Sequence, residues 1–436
     1  MVKKVDTAVV TLWGMTVGAV SWLDDSAYGI FEYDPDFLNK GLDISPLHMS
    51  LDDARKGDAK FSFPALNKDT FIGLPGLLAD ALPDKFGNSI IDTWLSRNGR
   101  DSASFSPVVR LCYTGKRAMG ALEFSPAIID KYDTSVAVEV SELVKLTQDI
   151  MNKRHKLDVS LNESAADNAD AVLDILRVGT SAGGARPKAV IAMDENGNVL
   201  SGQGEVPKGY DYWILKFDGV TDLELGEPRG YGRIEYAYYL MAKAVGINMT
   251  ECRLLEENGR AHFMTKRFDR VSGNKIHMQS LCGIAHYDFN NAGAYSYEQA
   301  FTVMRRLRLS KAEAEQQYRR MLFNIIARDL DDHTKNIAFL MQRDGKWALS
   351  PAYDVTYSHN PAGKWTNQHQ MSLNGKRDHF TREDLIHVGE SISLSKPEET
   401  LNDVIIAVEQ WPEYAKDAEV NKKVVLEIGK HHRTNL

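Results

Sequence analysis

The sequence predicts an α+β fold, in which a strand-rich N-terminal region precedes a mixed region and a largely helical C-terminal region. Alternating apolar and polar residues predict three short strands near the N-terminus, joined as a meander: Thr7–Trp13, Val17–Leu23 and Gly29–Tyr33. Beyond about residue 296, apolar residues recur three and four positions apart, which is typical of amphipathic helices. A polar stretch at 153–170 favours a boundary, and we divide the chain into 1–150, 151–295 and 296–436.

The composition excludes several classes of protein. The 436 residues include 52 Lys+Arg and 60 Asp+Glu, a formal net charge of −8, and 43% hydrophobic residues, which is ordinary for a soluble globular chain. No apolar run is long enough for a transmembrane helix, and the alternation near the N-terminus favours a strand over a secretory signal. Three scattered cysteines, Cys112, Cys252 and Cys282, favour a reducing cytoplasm over a disulfide framework. The acidic balance predicts that any association with DNA is made through a partner or a local patch.

The remaining elements follow the same hydrophobic patterns and turn signals. In the N-terminal region we predict mainly helix at 71–98, strands Val108–Tyr113 and Met119–Phe124, and a helix at 135–153. In the middle region we predict strands Ala189–Met193 and Tyr212–Phe217, helix Ile234–Val245, and strands Cys252–Glu256 and His262–Phe268.

Three polar residues near the C-terminal hairpin have the spacing of a phosphate-transfer site. Asp331 is followed five positions later by Asn336, then by a hairpin with Asp-Gly at its turn, then by Asp354. Protein kinases use the same order: a carboxylate that accepts the proton of a hydroxyl, and an amide and a second carboxylate that hold Mg²⁺ against nucleotide phosphates. These hard oxygen ligands suit Mg²⁺.

The middle region contains the other parts that such a site needs. Glycines at 179, 183 and 184 would let backbone N–H groups approach phosphates. Lys216, at the end of a strand, could neutralise the phosphates, and Glu235, in the first turn of the next helix, could orient that lysine. Each feature alone is more often a plain turn, a solvated lysine or a residue that complements the helix dipole. Their order along the chain favours the functional interpretation.

At these residues the sequence resembles the HipA family of serine/threonine kinases, the toxins of HipBA-type toxin–antitoxin pairs. The matching motifs are SAGGARPKA (181–189), YWILKFDG (212–219), MTKRFDR (264–270), DDHTKNIAFL (331–340) and LSPAYDV (349–355). The resemblance implies a bilobal fold related to protein kinases and phosphatidylinositol kinases, behind an N-terminal β-rich subdomain. The N-lobe would carry the Gly-rich loop, the ATP lysine and the hinge, and the helical C-lobe would carry the catalytic loop.

The resemblance also assigns roles to single residues. Asp331 would be the catalytic base, Asn336 and Asp354 would bind Mg²⁺, and the remaining residues would bind ATP: Gly179, Ser181, Gly183, Gly184, Lys216, Lys266 and Phe268. Lys266 and Phe268 would contact the adenine through the backbone of the hinge. Ser181 would be the autophosphorylated serine, with Thr180 as a competing acceptor, and the added charge would expel the loop from the site.

For partners, the resemblance implies a HipB-type helix-turn-helix antitoxin that binds operator DNA, and a protein substrate such as an aminoacyl-tRNA synthetase. Two other functions stay open: a kinase of a small-molecule hydroxyl, and a corepressor whose kinase site is vestigial. Outside this site, we expect His333 to buttress the catalytic loop, His431 and His432 to lie in a solvated tail, and the arginines at 305–308 and 319–320 to form a solvated face.

Overall fold

The computed structural model describes residues 5–57, 59–83, 87–88, 91, 105–127, 135–154, 187–220 and 230–436. The chain divides into two compact units. The first comprises Met1–Leu42, Leu51–Gly232 and Arg253–His277, and the second comprises Asp43–Ser50, Arg233–Cys252 and Met278–Leu436. Both units combine helices and strands, so the predicted α+β class is confirmed. The finer division into 1–150, 151–295 and 296–436 stays a prediction.

The first unit begins with the predicted meander. Its strands are β1 (Thr7–Leu12), β2 (Met15–Leu23), β3 (Tyr28–Tyr33), β4 (Lys60–Phe61) and β5 (Leu122–Ser125), and they form an antiparallel sheet in the order β4-β3-β2-β1-β5. Alternate side chains of β1 to β3 are buried, because successive residues of a strand point to opposite faces. Val10, Val20 and Phe31 are completely buried.

The described helices of the first unit are mostly short. They are α1 (Pro35–Leu38), α2 (Leu51–Lys56), α3 (Lys68–Phe71), α4 (Gly76–Ala79), α5 (Pro107–Thr114) and α6 (Val140–Arg154). The predicted strand Val108–Tyr113 is wrong, since these residues lie in α5. Ser106 accepts a hydrogen bond from the Val109 N–H, and Pro107 occupies the first turn, so the start of a helix outweighs the β-branched residues that suggested a strand. The predicted helix at 71–98 is confirmed only in part, since residues 72–75 and 80–83 are turns or irregular. The helix predicted at 135–153 is present from Val140 to Arg154.

A second antiparallel sheet completes the first unit. Its strands are β6 (Lys188–Met193), β7 (Val199–Ser201), β8 (Asp211–Lys216), β9 (Cys252–Glu257) and β10 (Arg260–Lys266), in the order β7-β6-β8-β10-β9. Ile191, Trp213, Leu215 and Met264 pack with Leu143 of α6 in the core of this sheet. The chain continues through the small hairpin β11 (Arg270–Val271) and β12 (Asn274–Lys275). The predicted strands of this region are therefore confirmed.

The second unit is largely helical, as predicted. Its elements are α7 (Tyr231–Ala244), β13 (His277–Ser280), α8 (Leu281–Ala285), α9 (Tyr297–Arg306), α10 (Lys311–Ala327), β14 (Ala338–Met341), β15 (Trp347–Leu349), α11 (Arg382–Ser391), α12 (Pro397–Glu409), α13 (Trp411–Asp417) and α14 (Lys422–Gly429). The first residues of α7 and of β13 belong to the first unit. Helix α10 begins with a capping box between Ser310 and Glu313, and its buried face includes Tyr318, Leu322 and Ile326. Among the described residues, no helix is long and apolar enough to cross a bilayer. All three cysteines are buried and free.

Two predictions about polar residues of this unit need correction. The predicted solvated face holds for Arg305, Arg306 and Arg308, which are exposed. The side chain of Arg320 is instead buried and donates to the Ser350 carbonyl at 2.6 Å. The predicted solvated tail at His431 and His432 is packed against the unit instead. His431 Nδ1 lies 2.7 Å from the Tyr357 hydroxyl, and His432 Nε2 lies 3.0 Å from the Tyr238 hydroxyl.

The C-terminal residues also stabilise the end of α10. The Tyr238 hydroxyl donates to the Ala327 carbonyl at 2.6 Å, and the Arg433 N–H donates to the Ile326 carbonyl at 2.9 Å. The last carbonyls of a helix have no partner within the helix, so these donors satisfy groups that would otherwise need water. Because the Tyr238 proton is used in this way, His432 Nε2 must donate to the hydroxyl. Burial lowers the pKa of His432 to about 4, which agrees with a neutral ring.

Deleting Lys430–Leu436 is therefore expected to destabilise the protein. The loss of the hydrogen bonds of His431, His432 and Arg433 and of the Arg433–Asp378 ion pair should cost about 2–4 kcal/mol and lower the Tm by about 5–10 °C. Deleting only residues 434–436 is the matched control, which keeps all of these contacts. Thermal unfolding followed by circular dichroism measures both variants, and equal Tm values for the two deletions would refute the role of the tail.

Candidate active site

The loop that contains Asp331 begins where α10 ends. Arg328 ends the helix in the left-handed conformation, with φ of 63°, and its N–H donates to the Asn324 carbonyl. The loop closes in a short 3₁₀ turn at Thr334–Asn336. The Asn336 side-chain nitrogen donates to the Asp331 carbonyl at 2.8 Å, and the His333 N–H donates to the same oxygen at 2.9 Å. The five-residue spacing in the sequence thus corresponds to a closed turn.

The predicted hairpin follows this loop and leads to Asp354. Strands β14 and β15 pair antiparallel, with Phe339 opposite Leu349, and Gly345 has φ of 82° in the turn. Asp354 itself has φ of 53°, an uncommon conformation for a residue with a side chain and one that is enriched at functional sites. Asn336 and Asp354 line one pocket. Asn336 therefore bonds to the Asp331 backbone and shares a pocket with Asp354, while the lining of that pocket does not include Asp331.

The Asp331 carboxylate is accessible. Its side chain is 49% exposed, and His333 Nε2 lies 4.0 Å from its Oδ1, beyond hydrogen-bond distance. The His333 ring also packs edge-on against Phe289, with centroids 5.4 Å apart. The expected buttressing by hydrogen bonds is made by the His333 backbone N–H, while the contact of its ring with Phe289 is packing. A substrate hydroxyl could thus reach Asp331.

The neighbouring Asp332 is buried, and its carboxylate is held by hydrogen bonds within the protein. It accepts hydrogen bonds from the Tyr297 hydroxyl at 2.7 Å and the Gln370 N–H at 2.7 Å, and lies 2.8 Å from His369 Nδ1. Burial alone would raise its pKa, but the charge and hydrogen bond of His369 and the other donors hold the pKa below its usual value. Asp332 therefore anchors the loop, which leaves Asp331 as the accessible carboxylate.

A third carboxylate, Asp329, is also buried beside this loop. It accepts hydrogen bonds from the Ser358 hydroxyl at 2.9 Å and the Thr356 N–H at 3.2 Å. Burial raises its pKa well above the usual value, and the negative charges of Asp331 and Asp332 act in the same direction. The sequence analysis assigned no role to Asp329 or Ser358, because nothing in the local spacing indicates that residues 329 and 358 meet.

The donor set fits a divalent metal bound together with a nucleotide. Because the Asn336 amide nitrogen is bonded to the Asp331 carbonyl, its oxygen points elsewhere, and it shares the pocket with the Asp354 carboxylate. Two hard oxygen ligands, with phosphate oxygens and water for the remaining positions, suit Mg²⁺. Among the residues that the structure describes, no group of three or more His, Cys, Asp or Glu side chains is arranged to hold a metal ion.

The predicted phosphate-binding residues lie in the first unit. Lys216 is the last residue of β8, and Lys188 stands directly opposite it on β6. Directly opposed residues of an antiparallel pair project from the same face with Cβ atoms about 4.5–5.5 Å apart, so two like charges are adjacent here. The sequence does not identify Lys188, because the register between two strands cannot be predicted from one of them.

For several of the predicted site residues, the structure does not test the predicted role. Gly179, Thr180, Ser181, Gly183 and Gly184 lie outside the described residues. Glu235 is buried in α7, but the helix begins at Tyr231, so Glu235 lies in its second turn and not in the first as predicted. It belongs to the second unit and Lys216 to the first, and an ion pair between them stays a prediction.

The predicted hinge residues lie at the end of β10. Lys266 is the last residue of that strand and pairs with Trp213 of β8, and Phe268 follows in the turn. The Lys266 ammonium bonds the Asp211 carboxylate at 2.6 Å. The positive side chain is thus neutralised within the sheet, and a contact of the hinge with an adenine would be made by the backbone.

Replacing Lys266 by Met is therefore expected to change nucleotide affinity by less than about threefold, since the ion pair is partly exposed and worth little. The matched variant Lys216→Met should weaken affinity by about tenfold or more, through the loss of a charge-assisted contact with phosphate. Isothermal titration with a non-hydrolysable ATP analogue and Mg²⁺ measures both. Equal losses in the two variants would contradict the backbone role of the hinge.

Comparison with known proteins adds the family. The fold defines an α+β protein of two compact units. The HipA-like C-terminal domain matches residues 180–412, more than half of the chain, and the HipA N-terminal domain matches residues 8–125. The chain therefore belongs to the HipA family. A search of curated proteins gives no match.

Solved structures agree with this assignment. The HipA chain of the Shewanella oneidensis MR-1 toxin–antitoxin system, solved with HipB and its operator DNA, has 16% sequence identity and a TM-score of 0.64, and the match covers 97% of this chain and 94% of that one. At this identity the similarity establishes the fold. The Helicobacter pylori proinflammatory kinase CtkA matches at 12% identity with a TM-score of 0.36, over 58% of this chain and 90% of that one, and adds nothing to the argument.

Proposed function

We propose that this chain is an ATP- and Mg²⁺-dependent serine/threonine protein kinase and the toxin of a HipBA-type toxin–antitoxin pair. One observation carries the proposal: the Asp331–Asn336 turn is closed by a side-chain hydrogen bond, and Asn336 shares a pocket with Asp354. This is the arrangement of one proton acceptor beside two metal ligands that phosphate transfer to a hydroxyl requires.

Each residue has a defined task in this proposal. Asp331 accepts the proton of the substrate hydroxyl, and the hydroxyl oxygen forms a bond to the γ-phosphorus. The bond from that phosphorus to ADP breaks, and ADP leaves with the electron pair. Asn336 and Asp354 hold Mg²⁺, which neutralises charge on the phosphates. Lys216, with Lys188 opposite it on the neighbouring strand, would bind the phosphates. Catalysis then rests on positioning and electrostatic stabilisation.

The Gly-rich loop would provide regulation. Phosphorylation of Ser181, or of the neighbouring Thr180, adds about two negative charges at the place where ATP phosphates bind. Repulsion would remove the loop from the site and switch the kinase off.

The proposed partners follow from the family. HipA of Shewanella oneidensis was solved with HipB and operator DNA, and we propose that a HipB-type helix-turn-helix antitoxin binds this chain. A net charge of −8 disfavours general DNA binding, so contact with the operator would be made mainly by the antitoxin. The substrate would be a translation component such as an aminoacyl-tRNA synthetase, with growth arrest as the result. The three free cysteines suit a reducing compartment such as the cytoplasm.

Incubation of the purified protein with γ-labelled ATP and Mg²⁺ tests the activity. We expect label on the protein itself, at Ser181 or Thr180, and none with Asp354→Ala. Label transferred only to a small-molecule hydroxyl would favour a metabolite kinase. An absence of any transfer by a chain that still represses with its antitoxin would favour the vestigial corepressor.

Phosphoproteomics of cells that express the protein tests the substrate class. We expect a translation component to be phosphorylated by the unaltered chain and not by Asp354→Ala, together with growth arrest that depends on the same residue. Growth arrest by Asp354→Ala would contradict a toxicity caused by kinase activity.

A further inference from the structure

Two segments on either side of the hairpin are joined by a short hydrogen-bond network. The Asp331 N–H donates to the Ser358 hydroxyl oxygen at 2.9 Å, and that hydroxyl donates to Asp329 Oδ1 at 2.9 Å. The Thr356 N–H donates to Asp329 Oδ2 at 3.2 Å, and the Ser358 N–H donates to the Arg328 carbonyl at 3.3 Å. Residues 328–331 and 356–358 are therefore held together at four points.

The Ser358 hydroxyl has the central place in this network. It accepts a hydrogen bond from the catalytic loop and donates one to the buried carboxylate, so both hydrogen bonds run in one direction. Asp329 is buried and receives a donor on each oxygen, which fixes its orientation. A buried carboxylate with both oxygens bonded is a rigid anchor.

The network connects the two chemical parts of the site. Asp331 is the proposed proton acceptor, and Thr356 and Ser358 follow the proposed metal ligand Asp354 by two and four residues. Asp354 has a strained backbone with φ of 53°, and strain persists only where the surrounding structure determines it. The hydrogen bonds at 356 and 358 supply such constraints immediately downstream.

We propose that Ser358 is a positioning residue: its hydroxyl, oriented by Asp329, fixes the backbone of Asp331 relative to the segment that carries Asp354. This inference rests on the proposed kinase function and deepens it. A hydroxyl is required because the same atom must accept one hydrogen bond and donate another. Threonine retains both capacities, and alanine has neither.

Hydrogen exchange measures the positioning without any activity. In Ser358→Ala, the Asp331 N–H loses its acceptor, and peptides that cover 329–336 should exchange about tenfold faster or more, whereas Ser358→Thr should retain protection. Ser391→Ala is the matched control, since its hydroxyl donates to Val388 within α11. It should leave exchange at 329–336 unchanged.

Steady-state kinetics of the same variants tests the consequence. Ser358→Ala should lower kcat by about tenfold or more with little change in the KM for ATP, because a misplaced base reduces the chemical step and not nucleotide binding, and Ser358→Thr should restore kcat to within about threefold. If Ser358 acted only in folding, its replacement would lower the Tm, and the kcat of the Ala and Thr variants would follow their stability.

The outcomes separate the two proposals. Unchanged exchange in Ser358→Ala, or faster exchange with full kcat, would overturn the positioning role and leave the kinase function in place. Failure of Ser358→Thr to restore kcat would also overturn it. If the wild-type chain binds nucleotide and transfers no phosphate to any hydroxyl, the kinase function itself fails, and the positioning role fails with it.

Discussion

Replacing Asp331 by Asn is expected to lower kcat for phosphate transfer by about 10²–10⁴-fold, the usual contribution of a general base. The amide keeps the shape of the side chain and cannot accept the proton from the attacking hydroxyl. The KM for ATP should change little, because Asn336 and Asp354 provide the proposed metal ligands. The measurement is transfer of labelled phosphate under saturating ATP.

Asp344→Asn is the matched control for this variant. Asp344 is an exposed carboxylate in the β14–β15 turn of the same unit, and it contacts the neighbouring Lys346. It should keep full activity. An Asp331→Asn enzyme within tenfold of the wild type would contradict the assignment of Asp331 as the base.

Replacing Asp269 by Ala is expected to reduce the free energy of unfolding by about 3–5 kcal/mol, the usual cost of leaving buried charges without a partner. Asp269 is completely buried in the first unit. Its carboxylate accepts hydrogen bonds from Arg267 and Arg270, both at 2.7 Å, and from the Gly120 N–H at 2.8 Å. Arg270 in turn donates to the carbonyls of Gly120 and Ala118. The substitution would leave two arginines buried together.

This carboxylate also predicts the acid sensitivity of the fold. Burial alone would raise the pKa of Asp269, but the charges of Arg267 and Arg270 hold it well below its usual value of 3.8. A lowered pKa stabilises the folded state fully above the usual value, and the contribution declines as the pH falls below it. Asp269→Ala should therefore lose stability at neutral pH, and its deficit relative to wild type should shrink only in strong acid.

Asp211→Ala is the control for this prediction, since Asp211 forms a partly exposed pair with Lys266 and its loss should cost less than about 1 kcal/mol. Urea unfolding followed by fluorescence compares the variants. A loss for Asp269→Ala as small as that for Asp211→Ala would refute the importance of the buried network.

The elements that the sequence predicted well are those in which neighbouring residues determine the conformation. The meander at 7–33 follows from alternation, and the hairpin β14–β15 from Asp344-Gly345 between two apolar runs. The Asp331–Asn336 turn is closed within five residues, so its spacing carried the information. In each case the required contacts lie close together in the chain.

The predictions from the sequence that were wrong have a different physical cause. Residues 108–113 have strand propensity, but the Ser106 cap and Pro107 favour a helix, and tertiary packing buries it. The polar residues at 431 and 432 resemble a solvated tail, and only contacts with residues as distant as Tyr238 show that they are packed. The Asp329–Ser358 contact depends in the same way on how the hairpin returns the chain.

The central claim is that Asn336 and Asp354 bind a divalent metal together with a nucleotide, beside Asp331. Electron paramagnetic resonance of Mn²⁺, titrated in the presence of a non-hydrolysable ATP analogue, measures this binding directly. We expect nucleotide-dependent Mn²⁺ binding in the wild type and in Asp331→Asn. The Mn²⁺ affinity should fall by about tenfold or more in Asn336→Leu, which loses a ligand oxygen, and in Asp354→Asn, which loses the charge of a ligand. Unchanged Mn²⁺ affinity in both ligand variants, or no nucleotide-dependent binding in the wild type, would contradict the claim.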